Sequence, residues 1–170
     1  MPVVERKALM PYSASQMFDL IGDIERYPEF MRDCVAAEII ERTPAINEAG
    51  DAKTIDAGSS SPPATVTAKL TIKKAGFSQS FTTKNTLHPP HKMSLELVDG
   101  PFKSLHGFWA FENILSNENP SKASPGCRVT FYLNYQFRSA MLGMLGGPVF
   151  ERSAEEQVRN LSARARQIYG

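Results

Sequence analysis

The segment from Cys127 to Phe137 alternates strictly between apolar and polar side chains, and it constrains the fold more than any other part of the sequence. The first set is Cys127, Val129, Phe131, Leu133, Tyr135 and Phe137. The set between them is Arg128, Thr130, Tyr132, Asn134 and Gln136. Successive side chains of a β-strand point to opposite faces, so this strand buries one face and exposes the other. That pattern is typical of an antiparallel sheet with a second layer on one side.

The C-terminal part of the chain changes to a helical period and predicts that second layer. From Pro148 to Ile168, apolar residues recur every three to five positions, and charged residues occupy the remaining surface. Pro148 suits the first position of a helix, and Gly146-Gly147 interrupts the apolar run just before it. The expected helix is about 30 Å long. One amphipathic helix facing one antiparallel sheet is an α+β architecture.

Other elements are predicted ahead of this pair. Ser13 and Gln16 have the spacing of a capping box and predict the start of a short helix. The segment Tyr27-Pro28-Glu29-Phe30 is expected to end it, because the residue before a proline avoids helical backbone angles. Periodicity is lost from Thr43 to Pro63, which predicts a flexible loop. Alternation predicts strands over Val3 to Met10, Val35 to Glu41, Thr65 to Lys74, Phe77 to Leu87 and Met93 to Leu97.

The segment from Asp99 to Phe111 is dense in large apolar side chains and contains no recognisable catalytic set. It lies between two strand-like runs, ahead of the C-terminal helix. An aromatic-rich sheet closed by one long helix either packs solid or encloses an apolar ligand. The choice between these two arrangements determines the function.

Length, charge and targeting signals narrow the class of protein. The 170 residues are expected to form one domain over residues 1–170. The net charge of +1 gives no general attraction to DNA or to anionic lipid. The N-terminus lacks the apolar core of a signal peptide, and no run approaches the roughly 18 apolar residues that span a bilayer. We therefore expect a cytoplasmic protein whose membrane contact, if any, is peripheral.

The sequence carries no clear signal for a metal, a cofactor or a catalytic group. His88-Pro89-Pro90-His91 provides two histidines, whereas zinc sites use at least three protein ligands. Cys34 and Cys127 lie far apart, as expected of buried thiols in a reducing compartment. No Gly-rich phosphate loop or nucleophile elbow is present. The predicted inner faces carry no Asp or Glu, so we expect neither an enzyme nor a cofactor.

Several blocks of the sequence carry a resemblance to a known family. The most specific are Tyr27-Pro28-Glu29-Phe30 and Asp99-Gly100-Pro101-Phe102, and the others are Tyr12-Ser13-Ala14, Lys74-Ala75-Gly76-Phe77 and the run Phe81 to Leu87. In this order, over almost the whole chain, they resemble the coenzyme Q-binding and ribosome association toxin A family of START-like proteins. The resemblance implies a helix-grip fold, in which a curved antiparallel sheet wraps around a long C-terminal helix and encloses an apolar cavity.

The resemblance also implies two roles. One is the binding of ubiquinone, an isoprenoid quinone, in support of respiratory electron transport. The other is that of a toxin which binds the large ribosomal subunit and blocks its association with the small one. Related polyketide cyclases make an enzyme the third option, and that option needs an acid or base inside the cavity.

Candidate residues follow from the predicted faces and from the resemblance. The expected cavity wall is Phe18, Tyr27, Phe30, Phe81, Trp109, Phe111, Phe131, Leu133, Tyr135, Leu145 and Val158. The expected mouth is Phe102, Leu105, Met141 and Leu142. The expected ribosome contact is Lys69, Lys73 and Lys74. Each of these sets has a second interpretation. The wall residues could equally fill a solid core, and the lysines could be ordinary solvated charges. The run Ala140 to Gly147, which contains Met141 and Leu142, fits either a mobile or membrane-touching edge or a helix start buried against the sheet.

Overall fold

In the computed structural model, which describes residues 3–43, 64–74, 76–115 and 123–170, an antiparallel sheet packs against helices on one face. Its strands are β1 (Val3–Met10), β2 (Cys34–Thr43), β3 (Ala64–Lys74), β4 (Phe77–His88), β5 (Lys92–Asp99), β6 (Phe102–Leu115) and β7 (Ala123–Phe137). The predicted strands are confirmed, with ends that extend by up to four residues. The predicted loop beyond Thr43 lies outside the described residues.

The strand order is β1-β7-β6-β5-β4-β3-β2. Strands β2 to β7 therefore form a meander in which each strand pairs with the next along the chain. Strand β1 pairs with β7, from Val3 opposite Asn134 to Met10 opposite Cys127. Shifts in register within the β2–β3, β4–β5 and β6–β7 ladders are bulges, which bend the strands and curve the sheet.

The first helical segment follows β1 and ends with the segment that the sequence predicts. It consists of α1 (Ala14–Gly22), a 3₁₀ turn (Ile24–Arg26) and α2 (Tyr27–Phe30). The capping box is confirmed, because Ser13 Oγ accepts from Gln16 N and Ser13 N donates to Gln16 Oε1. The helical stretch ends at Phe30 as expected, but the reason given for that end was wrong, because Tyr27 itself has helical backbone angles. Pro28 lies in the first turn of α2, where its missing N–H is not needed.

The C-terminal helix begins earlier than the sequence predicts. Helix α3 (Ala140–Glu155) starts after Ser139, whose Oγ accepts from Leu142 N at 3.1 Å, and α4 (Gln157–Tyr169) follows a break at Glu156. Pro148 lies inside α3. A proline leaves the carbonyl four residues earlier without its helical donor, and that residue, Met144, is 79% exposed.

An aromatic cluster anchors α3 to the sheet. The ring of Phe150 lies 4.7 Å from Tyr135 and 5.0 Å from Phe102 between centroids. Phe81 and Phe137 extend the same cluster. The inner faces of the strands and the buried sides of α1, α3 and α4 form one continuous core. This arrangement confirms the helix-grip fold.

Candidate ligand cavity

The core contains a cavity of about 90 Å³ between the inner face of the sheet and α3. Strands β3 to β7 form its floor, and Tyr27 and Met31 close one side. Trp109, the single tryptophan of the chain, stacks on Phe131 with ring centroids 4.4 Å apart. The apolar part of the wall also includes Leu70, Ile72, Met93, Leu95 and Leu133.

The buried polar side chains of the described residues converge on this cavity. Thr83 and Asn85 are each 4% exposed and Ser153 is 2% exposed, and these three are the buried polar residues of the described core. All three line the cavity. A polar group buried without a role costs free energy, so solid cores are built from apolar side chains. The cavity therefore differs in chemistry from the rest of the core.

Thr83 and Asn85 form a polar pair on the inner face of β4. Asn85 Nδ2 donates to Val66 O at 2.9 Å, across the β3–β4 ladder. The same nitrogen lies 3.2 Å from Thr83 Oγ1 and 3.3 Å from Thr83 O. Thr83 Oγ1 lies 3.4 Å from Asn85 Oδ1. These contacts fix the orientation of the Asn85 amide, because a backbone carbonyl only accepts.

Ser153 ties the helix to the opposite side of the cavity. Its Oγ donates to Asp33 Oδ2 at 2.7 Å, and Lys74 Nζ lies 3.5 Å from the same oxygen. Asp33 has φ 71°, a left-handed conformation that Asp adopts more readily than most residues. Its backbone oxygen accepts from Lys73 N at 2.9 Å. Asp33 thus links α3, β3 and the turn before β2.

Three other neutral polar side chains of the wall, those of Tyr27, Cys34 and Gln157, are hydrogen-bonded within the protein. Tyr27 OH donates to Ile21 O, and Cys34 Sγ donates to Ala36 O at 3.5 Å. Gln157 Nε2 donates to Ser153 O at 3.0 Å. Burial raises the pKa of Tyr27 above its ordinary value and that of Cys34 to about 11. No carboxylate lies among the lining residues, so the described wall lacks a charged acid–base pair.

The structure brings together part of the predicted wall. Tyr27, Phe81, Trp109, Phe131 and Leu133 line the cavity. The predicted residues that are buried elsewhere in the core are Phe18, Phe111, Tyr135 and Val158.

Two predicted wall residues lie nearer the surface instead. Phe30 is half-buried and packs under the guanidinium of Arg164, 5.3 Å from its ring centroid. Placing Leu145 on the wall was wrong, because it is 70% exposed. The helix begins at Ala140, so Leu145 lies on its outer face.

The predicted mouth is corrected in a similar way. Phe102 is 1% exposed, inside the aromatic cluster, so it is not an exposed lip. Leu105 is buried and belongs to the wall. Met141 is exposed and Leu142 is half-buried in the first turn of α3.

The three predicted lysines do not form one patch. Lys69 and Lys73 are exposed on the outer face of β3, and Lys69 lies opposite Glu38 of β2. Lys74 points to the other face and pairs with Asp33. Among the described residues, no group of three candidate metal ligands occurs, and no helix is long and apolar enough to cross a membrane.

Sequence reasoning missed Thr83, Asn85, Phe150 and Ser153. The signal for the first two was available, because they share the inner parity of β4 with Phe81. The signal for Phe150 was its four-residue spacing from Ala154, which also lines the cavity.

Comparisons with known proteins agree with this architecture. A family model described as "Polyketide cyclase / dehydrase and lipid transport" matches residues 10–162. The ribosome association toxin RatA of Escherichia coli (strain K12) is 35% identical over 169 residues, which cover 99% of this chain and 90% of that protein. The mitochondrial coenzyme Q-binding protein COQ10 homolog B of Xenopus laevis is 20% identical over 163 residues, 95% of this chain and 57% of that protein.

A solved structure extends the comparison to the fold. The crystal structure of TTHA0849 from Thermus thermophilus has a TM-score of 0.73 at 15% identity, covering 99% of this chain and 100% of that one. At that identity the likeness concerns the fold alone. The family model and the relative of 35% identity both span nearly the whole chain. The chain therefore belongs to the polyketide cyclase/dehydrase and lipid transport family, in the START-like branch that contains the ribosome association toxins.

Proposed function

We propose that this protein binds an isoprenoid quinone in the cavity and acts as a carrier rather than as an enzyme. The observation that supports the proposal is the convergence of Thr83, Asn85 and Ser153 on a wall that is otherwise apolar. Ligand pockets combine an apolar lining with a few placed polar groups in this way. None of the described residues that line the cavity is a carboxylate that could serve a cyclase as acid or base.

The size of the cavity implies that α3 moves when a ligand binds. About 90 Å³ is far below the roughly 300–1,000 Å³ of pockets that hold drug-sized ligands. Helix α3 buries only Gly146, Phe150, Ser153 and Ala154, and its first turns are exposed. Movement of this helix away from the sheet would enlarge the cavity at its Phe150 side. Burial of the ligand then supplies affinity at roughly 25 cal/mol per Å² of apolar surface, before ordering costs.

The exposed face of α3 suits contact with a lipid surface. Met141, Met144 and Leu145 present large apolar side chains to solvent in its first two turns. A surface groove runs beside this face, between the end of β7 and α3. The exposed cations Lys103 and Arg138 line it. Apolar side chains next to basic ones match the chemistry of an anionic bilayer surface. In this proposal α3 meets the membrane, where the ligand is dissolved, while the protein otherwise remains in the cytoplasm.

Organic extraction and mass spectrometry of the protein purified from its native host would test the proposal. We expect an isoprenoid quinone in stoichiometric amount. The matched variant is Ala68→Leu, which extends a wall residue into the cavity, and its control is Ala36→Leu on the exposed outer face of β2. Ala68→Leu should lose the quinone and Ala36→Leu should retain it. An empty wild-type protein, with spiked quinone recovered in full, would contradict the proposal.

A second candidate function is association with the large ribosomal subunit. It is supported by the 35% identity to the ribosome association toxin RatA over nearly the whole chain. The exposed cations Lys69 and Lys73 on the outer face of β3 are the candidate contact. Contacts to phosphate would make such binding sensitive to salt.

Cosedimentation with purified large subunits at two salt concentrations would test this second candidate. The double variant Lys69→Glu/Lys73→Glu should lose binding, and it leaves the Lys74–Asp33 ion pair in place. Arg159→Glu/Arg166→Glu on α4 makes the same charge change elsewhere and should retain binding. Full binding by the lysine variant would reject this surface.

A further inference from the structure

Several polar groups of the cavity can accept a hydrogen bond from a ligand but cannot donate one to it. Hydrogens of Tyr27 OH, Cys34 Sγ and Ser153 Oγ are donated to Ile21 O, Ala36 O and Asp33. These hydroxyl and thiol hydrogens are therefore committed to acceptors of the protein. What they leave toward a ligand is lone pairs rather than donors.

The side-chain amide of Asn85, on the part of the wall formed by β4, also has its hydrogens committed and a lone pair free. One Nδ2 hydrogen goes to Val66 O, and the other is directed to Thr83, either its Oγ1 or its backbone oxygen. The amide oxygen Oδ1 has two lone pairs, and Thr83 Oγ1 donates to one of them over 3.4 Å, so one lone pair remains. The Thr83–Asn85 pair thus presents a buried amide oxygen to the cavity with acceptor capacity to spare.

We infer that this pair selects a ligand whose ring carries a hydroxyl donor, so that the hydroquinone form is bound in preference to the quinone. The inference rests on the proposed function and names the redox state that the site accepts. A hydroquinone can donate its hydroxyl hydrogen to the remaining lone pair of Asn85 Oδ1, whereas every hydrogen of the pair is already donated within the protein. A quinone oxygen at the same place finds no donor on this pair, and its lone pairs face those of Asn85 Oδ1.

The expected preference is about tenfold, the size of effect that one or two buried hydrogen bonds have on affinity. The probes are a 1,4-benzoquinone with a ten-carbon alkyl tail and the corresponding hydroquinone. Binding is measured by equilibrium dialysis in oxygen-free buffer, with both forms quantified in each chamber.

Variants separate this inference from ordinary packing. Thr83→Val and Asn85→Leu remove the polar groups, and each should abolish the preference while the quinone still binds. Thr82→Val makes the same change as Thr83→Val on the opposite face of β4 and should keep the tenfold preference.

The outcomes distinguish the two proposals. A hydroquinone preference that Thr83→Val removes and Thr82→Val retains supports the inference. Equal binding of the two forms, or tighter binding of the quinone, overturns it and leaves the carrier proposal standing. Failure of the wild-type protein to bind either form overturns both.

Discussion

At the residue scale, the thiol of Cys34 can report whether the cavity is occupied, and the thiol of Cys127 provides the control within the same protein. Both thiols are free and buried, and burial raises the pKa of each to about 11. At pH 9, where an ordinary thiol is substantially ionised, only about one hundredth of each would be thiolate. Cys34 lines the cavity, whereas Cys127 lies in the core where β7 pairs with Met10 of β1.

A bound ligand should therefore protect one thiol and not the other. Alkylation of the native protein is expected to be slow at pH 8 and to accelerate as pH rises toward 11, because the thiolate is the reactive form. A saturating alkyl benzoquinone should lower the rate at Cys34 several-fold and leave Cys127 unchanged. Peptide mass spectrometry after timed labelling measures both sites in one sample. Equal protection of the two thiols would point to global stabilisation instead of occupancy.

The alternation of apolar and polar residues in the sequence predicted some of the residues that line the cavity. It placed Trp109, Phe131 and Leu133 on the inner face, where they line the cavity. The same rule cannot separate a cavity wall from solid core, because both positions point inward and both are buried. Phe111 shows this, since it shares the parity of Trp109 but packs against Phe18.

At the scale of the element, two glycines of α3 have opposite expected effects. An added Cβ at Gly146 would collide with the ring of Phe77, whereas at Gly143 its nearest neighbour is Phe137 at an ordinary 3.9 Å. Gly143→Ala should raise the free energy of unfolding by about 0.5–1 kcal/mol, since glycine is unfavourable inside a helix. Gly146→Ala should lower it. Urea denaturation compares the two, and equal stabilisation would show that Phe77 moves aside freely.

The exposed face of the same helix yields a prediction about lipid binding. Met144→Glu/Leu145→Glu should abolish flotation with vesicles of phosphatidylcholine and phosphatidylglycerol, because acidic groups replace the apolar contact and repel the anionic surface. Leu9→Glu is a control, since Leu9 is 68% exposed on β1. Retained flotation of the α3 variant would exclude this face, and loss with Leu9→Glu as well would indicate a general charge effect.

The boundaries of α3 show where element prediction fails. Gly146-Gly147-Pro148 is typical of a helix start, yet it lies within a helix that Ser139 caps. Two tertiary facts make this possible: Phe77 packs where Gly146 has no side chain, and Met144, whose carbonyl loses its helical donor to Pro148, lies on the exposed side of the helix. Neither is encoded in local propensity. Ser13 and Gln16, by contrast, satisfy each other locally, and their capping box was predictable.

At the scale of the whole molecule, ligand binding should raise global stability. A ligand that binds only the folded state at one hundred times its dissociation constant adds about 2.7 kcal/mol to the free energy of unfolding. The alkyl benzoquinone should therefore raise the thermal midpoint of the wild-type protein. It should not do so for Ala68→Leu, whose cavity is filled. Scanning calorimetry of both proteins with and without ligand makes the comparison, and an equal rise in both would place binding elsewhere.

The architecture was predictable from the sequence, whereas the state of the cavity was not. Alternation in β7 and helical spacing after Pro148 both indicated a sheet covered by a helix, and the resemblance supplied the helix-grip arrangement. The volume of about 90 Å³ depends instead on how Phe150 meets Tyr135 and Phe102 across the layers. Such distances arise from packing between elements, which spacing along one element does not describe.

The position of β1 at the edge of the sheet also bears on the order in which the chain folds. Strands β2 to β7 pair with their neighbours along the chain, whereas β1 pairs with residues more than a hundred positions away, as Val3 does with Asn134. Closing so large a loop costs entropy before the new pairing can offset the cost, so β1 is expected to join a meander already formed. A substitution that weakens packing at Val4 would then mainly speed unfolding, and one that weakens packing at Val66 would mainly slow folding.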